Sequence, residues 1–165
     1  MAAKTKKAAS PFVVEDALIG AYATNNRINM YLVENLPDEA WRAKPPEAKG
    51  RNIASIVAHI HNVRLMWLKA AGVTELPQKL EPETATRQQA VRALETSWKA
   101  LEDTLGPALR GDGRIKGFKP DVASFFAYLV AHDAHHRGQM TMLARLVGHP
   151  VSQSVMFGLW EWGTR

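Results

Sequence analysis

The chain has 165 residues, of which 46% are hydrophobic and 22% charged, with a net charge of +5 and no cysteine. That length suits one domain with a sizeable core, and no apolar run reaches the roughly 18 residues of a membrane span. Without cysteine there is no disulfide framework and no thiolate ligand, so a metal site would have to draw on histidine, carboxylate, amide or water.

Residues 1–11 read as a flexible basic lead-in carrying Lys4, Lys6 and Lys7. They lack the apolar core of a secretion signal, so the cytoplasm is the default expectation. A single helical domain is expected over 12–165. Its first helix spans 12–35, where Val14, Leu18, Ala21, Asn25, Ile28 and Leu32 repeat in steps of four and three. Pro11 suits the start and Pro37 the stop. The segment 37–51, with Pro37, Pro45, Pro46 and Gly50, reads as a loop whose Trp41 packs on the bundle.

A second helix is expected over 52–71, buried through Ile53, Ile56, Ile60, Val63 and Trp67 and stopped by Gly72. His59 lies on the flank of that stripe. His61 falls about 140° from its centre and is expected to face solvent or a partner. After a loop at 73–85, Thr86 and Gln89 form a capping-box pattern for a third helix, carried by Val91, Leu94, Trp98, Leu101 and Leu105 to Gly106-Pro107. Residues 106–120 read as another loop. Asp121 then caps the fourth and longest helix, which ends at Gly148-His149-Pro150. The tail 151–165 carries Phe157, Leu159, Trp160 and Trp162, and should fold across the bundle or into a partner. Four amphipathic helices and no strand pattern predict an all-α four-helix bundle with this tail packed on it. The loops of about 15 residues after the first and third helices exceed what a minimal bundle needs and are expected to cover one end.

The fourth helix holds the strongest chemical signal. Its stripe runs Phe125, Leu129, His132, His136, Gln139, Leu143, Leu146, with three polar residues in the middle. Burying imidazoles without partners costs stability, so something inside must satisfy them. His132 and His136 stand one turn apart on one face and can reach one ion. A third nitrogen must come from another helix, and His59 is best placed. Three neutral imidazoles suit zinc, nickel or iron(II) and leave a position open for water or substrate. The same spacing also serves a hydrogen-bonded core pair, and that alternative stands.

Neighbouring residues read differently. His135 fits an interface or supporting role. Asp133 turns His-Asp-Ala-His-His into a relative of the H-E-x-x-H pattern with its base one methylene short. Arg137 reads as a surface or interhelical ion-pair residue, and Gly138 as a point where another helix comes close. Gln139 serves either a bound ligand or a structural contact. The Glu-x-x-His signature of diiron bundles is absent.

The segments His-Asp-Ala-His-His-Arg-Gly-Gln at 132–139, Asn-Ile-Ala-Ser-Ile-Val-Ala-His-Ile at 52–60 and Gly-Leu-Trp-Glu-Trp-Gly at 158–163 together resemble the DinB-like superfamily, which includes YfiT-type metal-dependent hydrolases and thiol-dependent transferases. The resemblance implies a four-helix bundle holding zinc or nickel on His59, His132 and His136. It also implies an enzyme acting on a small molecule, with the metal activating water or a low-molecular-weight thiol; members that use bacillithiol or mycothiol, a maleylpyruvate isomerase among them, set that pattern. Homodimers are common in the group. The alternative is a non-catalytic metal- or ligand-binding stress protein. Nucleic-acid association, suggested only by the basic charge, ranks last, because no recognition helix or aromatic-basic module is present.

Overall fold

The computed structural model describes residues 11–46 and 49–165. The basic lead-in therefore lies, except for Pro11, outside the described residues. Six helices are formed among them: α1 (Val14–Asn35), α2 (Asp38–Trp41), α3 (Ile53–Ala71), α4 (Arg87–Arg110), α5 (Val122–Leu146) and α6 (Gln153–Gly158). The four long ones build an all-α bundle in which α1 and α3 each lie against both α4 and α5. No described helix is long and apolar enough to cross a membrane.

The ends of these helices are set by local chemistry. Asn52 caps α3 by accepting from Ser55 N at 2.9 Å. Gly72 closes the same helix in the left-handed conformation, at φ 98°. Thr86 and Gln89 form the expected capping box on α4, and the Asp121 carboxylate accepts from Ser124 N to start α5. Two expected element boundaries need correcting. The predicted 37–51 loop contains α2, which turns Trp41 inward so that its Nε1 donates to Ala85 O at 3.1 Å. Helix α4 does not end at Gly106-Pro107 but runs on to Arg110 with Pro107 inside it. Ala108 and Leu109 pack on the core, and that contact carries the last turn past the missing proline N–H.

The core falls into two apolar halves. One gathers Leu32 and Val33 of α1, Ile53, Ile56, Val57 and Ile60 of α3, Leu94 of α4, and Met140, Leu143 and Ala144 of α5. The other gathers Tyr22, Leu65, Leu68, Leu101, Leu105, Phe125 and Leu129. Read along the chain, α1 and α5 run one way and α3 and α4 the other. The α3–α4 connection must therefore climb the length of the bundle. The two long loops sit at opposite ends of the bundle and do not cover one end together, since Leu36 and Ile53 belong to one core half and Leu105, Ile115 and Val122 to the other; residues 73–85 run back along α3, and Leu80 pairs with Asn62 through both its N–H and its C=O.

That climbing segment also overturns the reading of His61. The ring is fully buried and its Nε2 lies 2.9 Å from Gln78 O, because the connection covers the face of α3 expected to meet solvent. The buried face of α3 shifts accordingly. Beyond Ile60 it passes to Arg64, Leu65 and Leu68, while Val63 and Trp67 are only half-buried. Trp67 instead joins an aromatic group with Phe118, Phe125 and Tyr128.

The tail packs on the bundle, as the sequence suggested. Val151 and Leu159 rest on the first core half. The Arg165 guanidinium stands 3.7 Å above the Tyr31 ring, and its Nε donates to Gly158 O. Gly158 is needed there, since a Cβ would lie 2.5 Å from the Tyr31 hydroxyl. Phe157 and Trp160 nevertheless point outward.

Candidate metal centre

Between the two apolar halves lies a polar layer crossing all four long helices. It contains Asn25, Asn26 and Asn29 of α1, His61 and Arg64 of α3, Ser97 of α4, and Asp133 and His136 of α5, all buried. Polar groups at this depth need partners; His61 finds one in Gln78 O, most of the others find theirs in two neighbouring systems, and Arg64 Nε, Asp133 Oδ1 and His61 Nδ1 are left without one.

The first is the histidine cluster. His59 of α3 meets His132 and His136 of α5, with ring centroids 5.4 Å and 4.8 Å away, and the latter two rings stand 4.5 Å apart. One nitrogen from each ring can be chosen so that all three lie within 4.8 Å of one another, a set that could hold a metal ion. The structure thus brings together the three residues singled out in the sequence. His136 Nδ1 lies 2.7 Å from Gln139 Oε1, so Nδ1–H donates to the amide oxygen and the Nε2 lone pair is left facing inward. That Nε2 is 3.2 Å from His132 Nε2. Gln139 is therefore a support for His136, the structural contact of its two expected roles. Tyr128 stacks on His132 from one turn below.

All three rings are held neutral. Burial above all pushes the His132 pKa down to about 4, and the nearby His136 pushes it further in the same direction. Burial lowers His59 too, followed by the positive charge of Arg51 and by His136. For His136 burial outweighs the Gln139 hydrogen bond, which acts the other way. A neutral imidazole presents the lone pair that a cation needs.

The second system fixes α5 in place. Asp133 Oδ2 accepts from Arg64 at 2.8 Å, Asn25 Nδ2 at 2.7 Å and Asn29 Nδ2 at 2.9 Å. The carbonyl oxygens of the same two asparagines accept from Arg137 at 2.7 Å and 2.6 Å. The other arm of Arg64 donates to Asn26 Oδ1 and Leu94 O at 2.8 Å and 3.1 Å. Burial first, with the Asp133 charge adding to it against the pull of Arg64, drives the Tyr22 pKa up and keeps its hydroxyl protonated. Asp133 is thus the hub of an interhelical network and not a base beside the histidine cluster. Arg137 is a half-buried hydrogen-bond donor to α1, where a surface or ion-pair residue was expected.

Sequence reasoning missed Arg64, Asn26, Asn29 and Ser97. The available signal was three asparagines within five positions of one helix, two of them four apart on the buried face. The reading of Gly138 also fails: no other helix approaches, since a Cβ there would meet nothing within 4 Å. His135 is exposed, its ring 4.9 Å from that of His136.

Comparison with known proteins agrees with this architecture. The family model described as "DinB family" matches residues 14–162, nearly the whole chain. A crystal structure from Exiguobacterium sibiricum 255-15, described as a candidate member of the DinB family, superposes with a TM-score of 0.61 at 17% identity, covering 88% of this chain and 99% of its own. At that identity the likeness concerns the fold. No curated protein matches the chain in sequence.

Proposed function

Because the chain belongs to the DinB family, we propose that His59, His132 and His136 hold a divalent metal ion, zinc or nickel in first place and iron(II) after them, in a metal-dependent enzyme acting on a small molecule. The observation that carries this reading is the convergence of three neutral imidazoles from two helices, with nitrogens within 4.8 Å of one another. Three nitrogen ligands are the donor set of an open, catalytic type of site, whereas purely structural zinc usually takes four protein ligands. When bound, such an ion supplies Lewis acidity, either lowering the pKa of water or holding a thiolate.

The chain's own residues do the preparing. Gln139 fixes the tautomer of His136 so that Nε2 is the free nitrogen. Burial keeps His132 unprotonated far below neutral pH. With no cysteine in the chain, a thiol taking part in the reaction would arrive with the co-substrate. Thiol S-transfer and hydrolysis are the two reaction types that this arrangement supports.

Elemental analysis of untagged protein tests the reading. Wild type is expected to carry about one equivalent of transition metal per chain and His132→Ala little or none, because two imidazoles hold such an ion far more weakly than three. Equal metal content in the two proteins would overturn it.

A further inference from the structure

A cleft of about 820 Å³ opens beside the histidine cluster, between the segment 49–51 and the outer face of α5. Its α5 wall changes character along its length. His135 and Gln139 stand at one end, Gln139 being the residue that holds His136. Met142, Leu143 and Leu146 form the other end. From residue 135 to residue 146 the wall is about 16 Å long at 1.5 Å per residue.

Lys49 and Arg51 supply the charge, and among the described residues no carboxylate lines the cleft. Among the described residues neither cation is in an ion pair. Arg51 stands at the histidine end, where its charge acts on both His59 and His136. The apolar end is left open to solvent: Met142 is 53% exposed and Leu146 61%. Gly138 begins the same row, four residues before Met142. Glycine inside a helix is destabilising relative to alanine, and here no packing requires it, since a Cβ would meet only open space. That space belongs to the cleft.

We infer that this cleft binds an amphipathic carboxylate, its anionic head between Arg51, Lys49 and the histidine end, and its apolar body over the Gly138 backbone against Met142, Leu143 and Leu146. Charge complementarity selects the acid over an alcohol or amine of the same shape, and the bare backbone at Gly138 lets the body lie against the helix. The inference rests on the metal-site reading only in making this occupant the substrate. Binding itself involves residues outside the proposed ligand set.

Calorimetric titration with octanoate, octanol and octylamine, on both metal-free and zinc-loaded protein, tests it. Octanoate is expected to bind at least about tenfold more tightly than the other two, a difference on the order of one charged contact. Arg51→Gln should weaken octanoate several-fold, and Gly138→Met should block it by filling the cleft. Neither should change zinc content, and the second raises helix propensity, so both should fold. Octanoate binding no tighter than octanol, or unchanged in Arg51→Gln, would overturn the inference even if zinc binds stoichiometrically. A protein that takes up no zinc but binds octanoate through Arg51 would retain the cleft and remove the metal reading. A cleft closed by a second copy would appear as a dimer that Leu146→Glu dissociates and that binds no octanoate, which also overturns the inference.

Discussion

Arg64 and Asp133, 69 positions apart in the chain, meet at 2.8 Å in the middle of the bundle, each only 1% exposed. Asp133 follows His132 directly and lies one helical turn before His136 and Arg137, so whatever holds this carboxylate also holds the histidine-bearing stretch of α5.

Removing one partner of such a pair leaves a buried charge uncompensated. Arg64→Leu should therefore cost about 3–5 kcal/mol of folding stability. Arg64→Lys keeps the charge but cannot donate to Asp133, Asn26 and Leu94 together, and should cost less. Urea denaturation at neutral pH reads both, and a loss below about 1 kcal/mol for Arg64→Leu would mean that the pair contributes little net stability.

Gln139 is exposed and touches the cluster only through His136. Gln139→Leu should leave the unfolding midpoint nearly unchanged while lowering zinc affinity by roughly 10–100-fold, the usual effect of losing a partner that orients a ligating histidine. Competition with a chromophoric chelator measures the affinity. Unchanged affinity would show that packing alone orients the ring.

The cluster sets a pH dependence for the metal-free protein. Unfolded histidine titrates near 6.5, whereas folded His132 is pushed down to about 4, with His59 and His136 lowered too. Between those values the unfolded chain binds more protons than the folded one. The stability gained from neutral imidazoles is therefore complete above about pH 7, drains away as the pH falls toward about 4, and is gone below it. Thermal unfolding of chelator-treated protein should show this decline, and His132→Asn should flatten it. A melting temperature that rises from pH 7 to pH 5 would contradict the assignment.

Arg165 ties the tail down through the Tyr31 ring and Gly158 O, while Arg27 donates to its own carbonyl at 3.0 Å. Arg165→Ala should cost about 1 kcal/mol or less globally. Its larger effect should be local: faster amide exchange over 153–164 with the four long helices unaffected. Uniform acceleration across the chain would place the tail within the cooperative unit.

The long helices, the two clearest caps and the three converging histidines were legible because each depends on spacing within one segment. Phe125, Leu129, His132 and His136 declare a face by their own period, and a histidine on α3 completes a set that α5 leaves incomplete. What stayed hidden depends on distant segments. His61 is buried only because residues 77–80 return along α3, and nothing within 52–71 records that path. Arg64 carries no signal within 52–71, because the carboxylate that pairs with it lies 69 positions away on α5. Pro107 signals a stop that the packing of Ala108 and Leu109 overrides. Gly138 suggests a crowded backbone, and the structure has open space there.

Asn25 and Asn29 each present an oxygen to Arg137 and an N–H to Asp133, matching a pair four apart on α1 to a pair four apart on α5. Sliding one helix past the other by a single turn, about 5.4 Å, would strand most of these groups at once. The register of α5, with its two histidines, is thus dictated by a neighbour that contributes no imidazole. A mutational survey scored on metal uptake alone would rank positions 25 and 29 beside the histidines, although neither side chain would touch the ion.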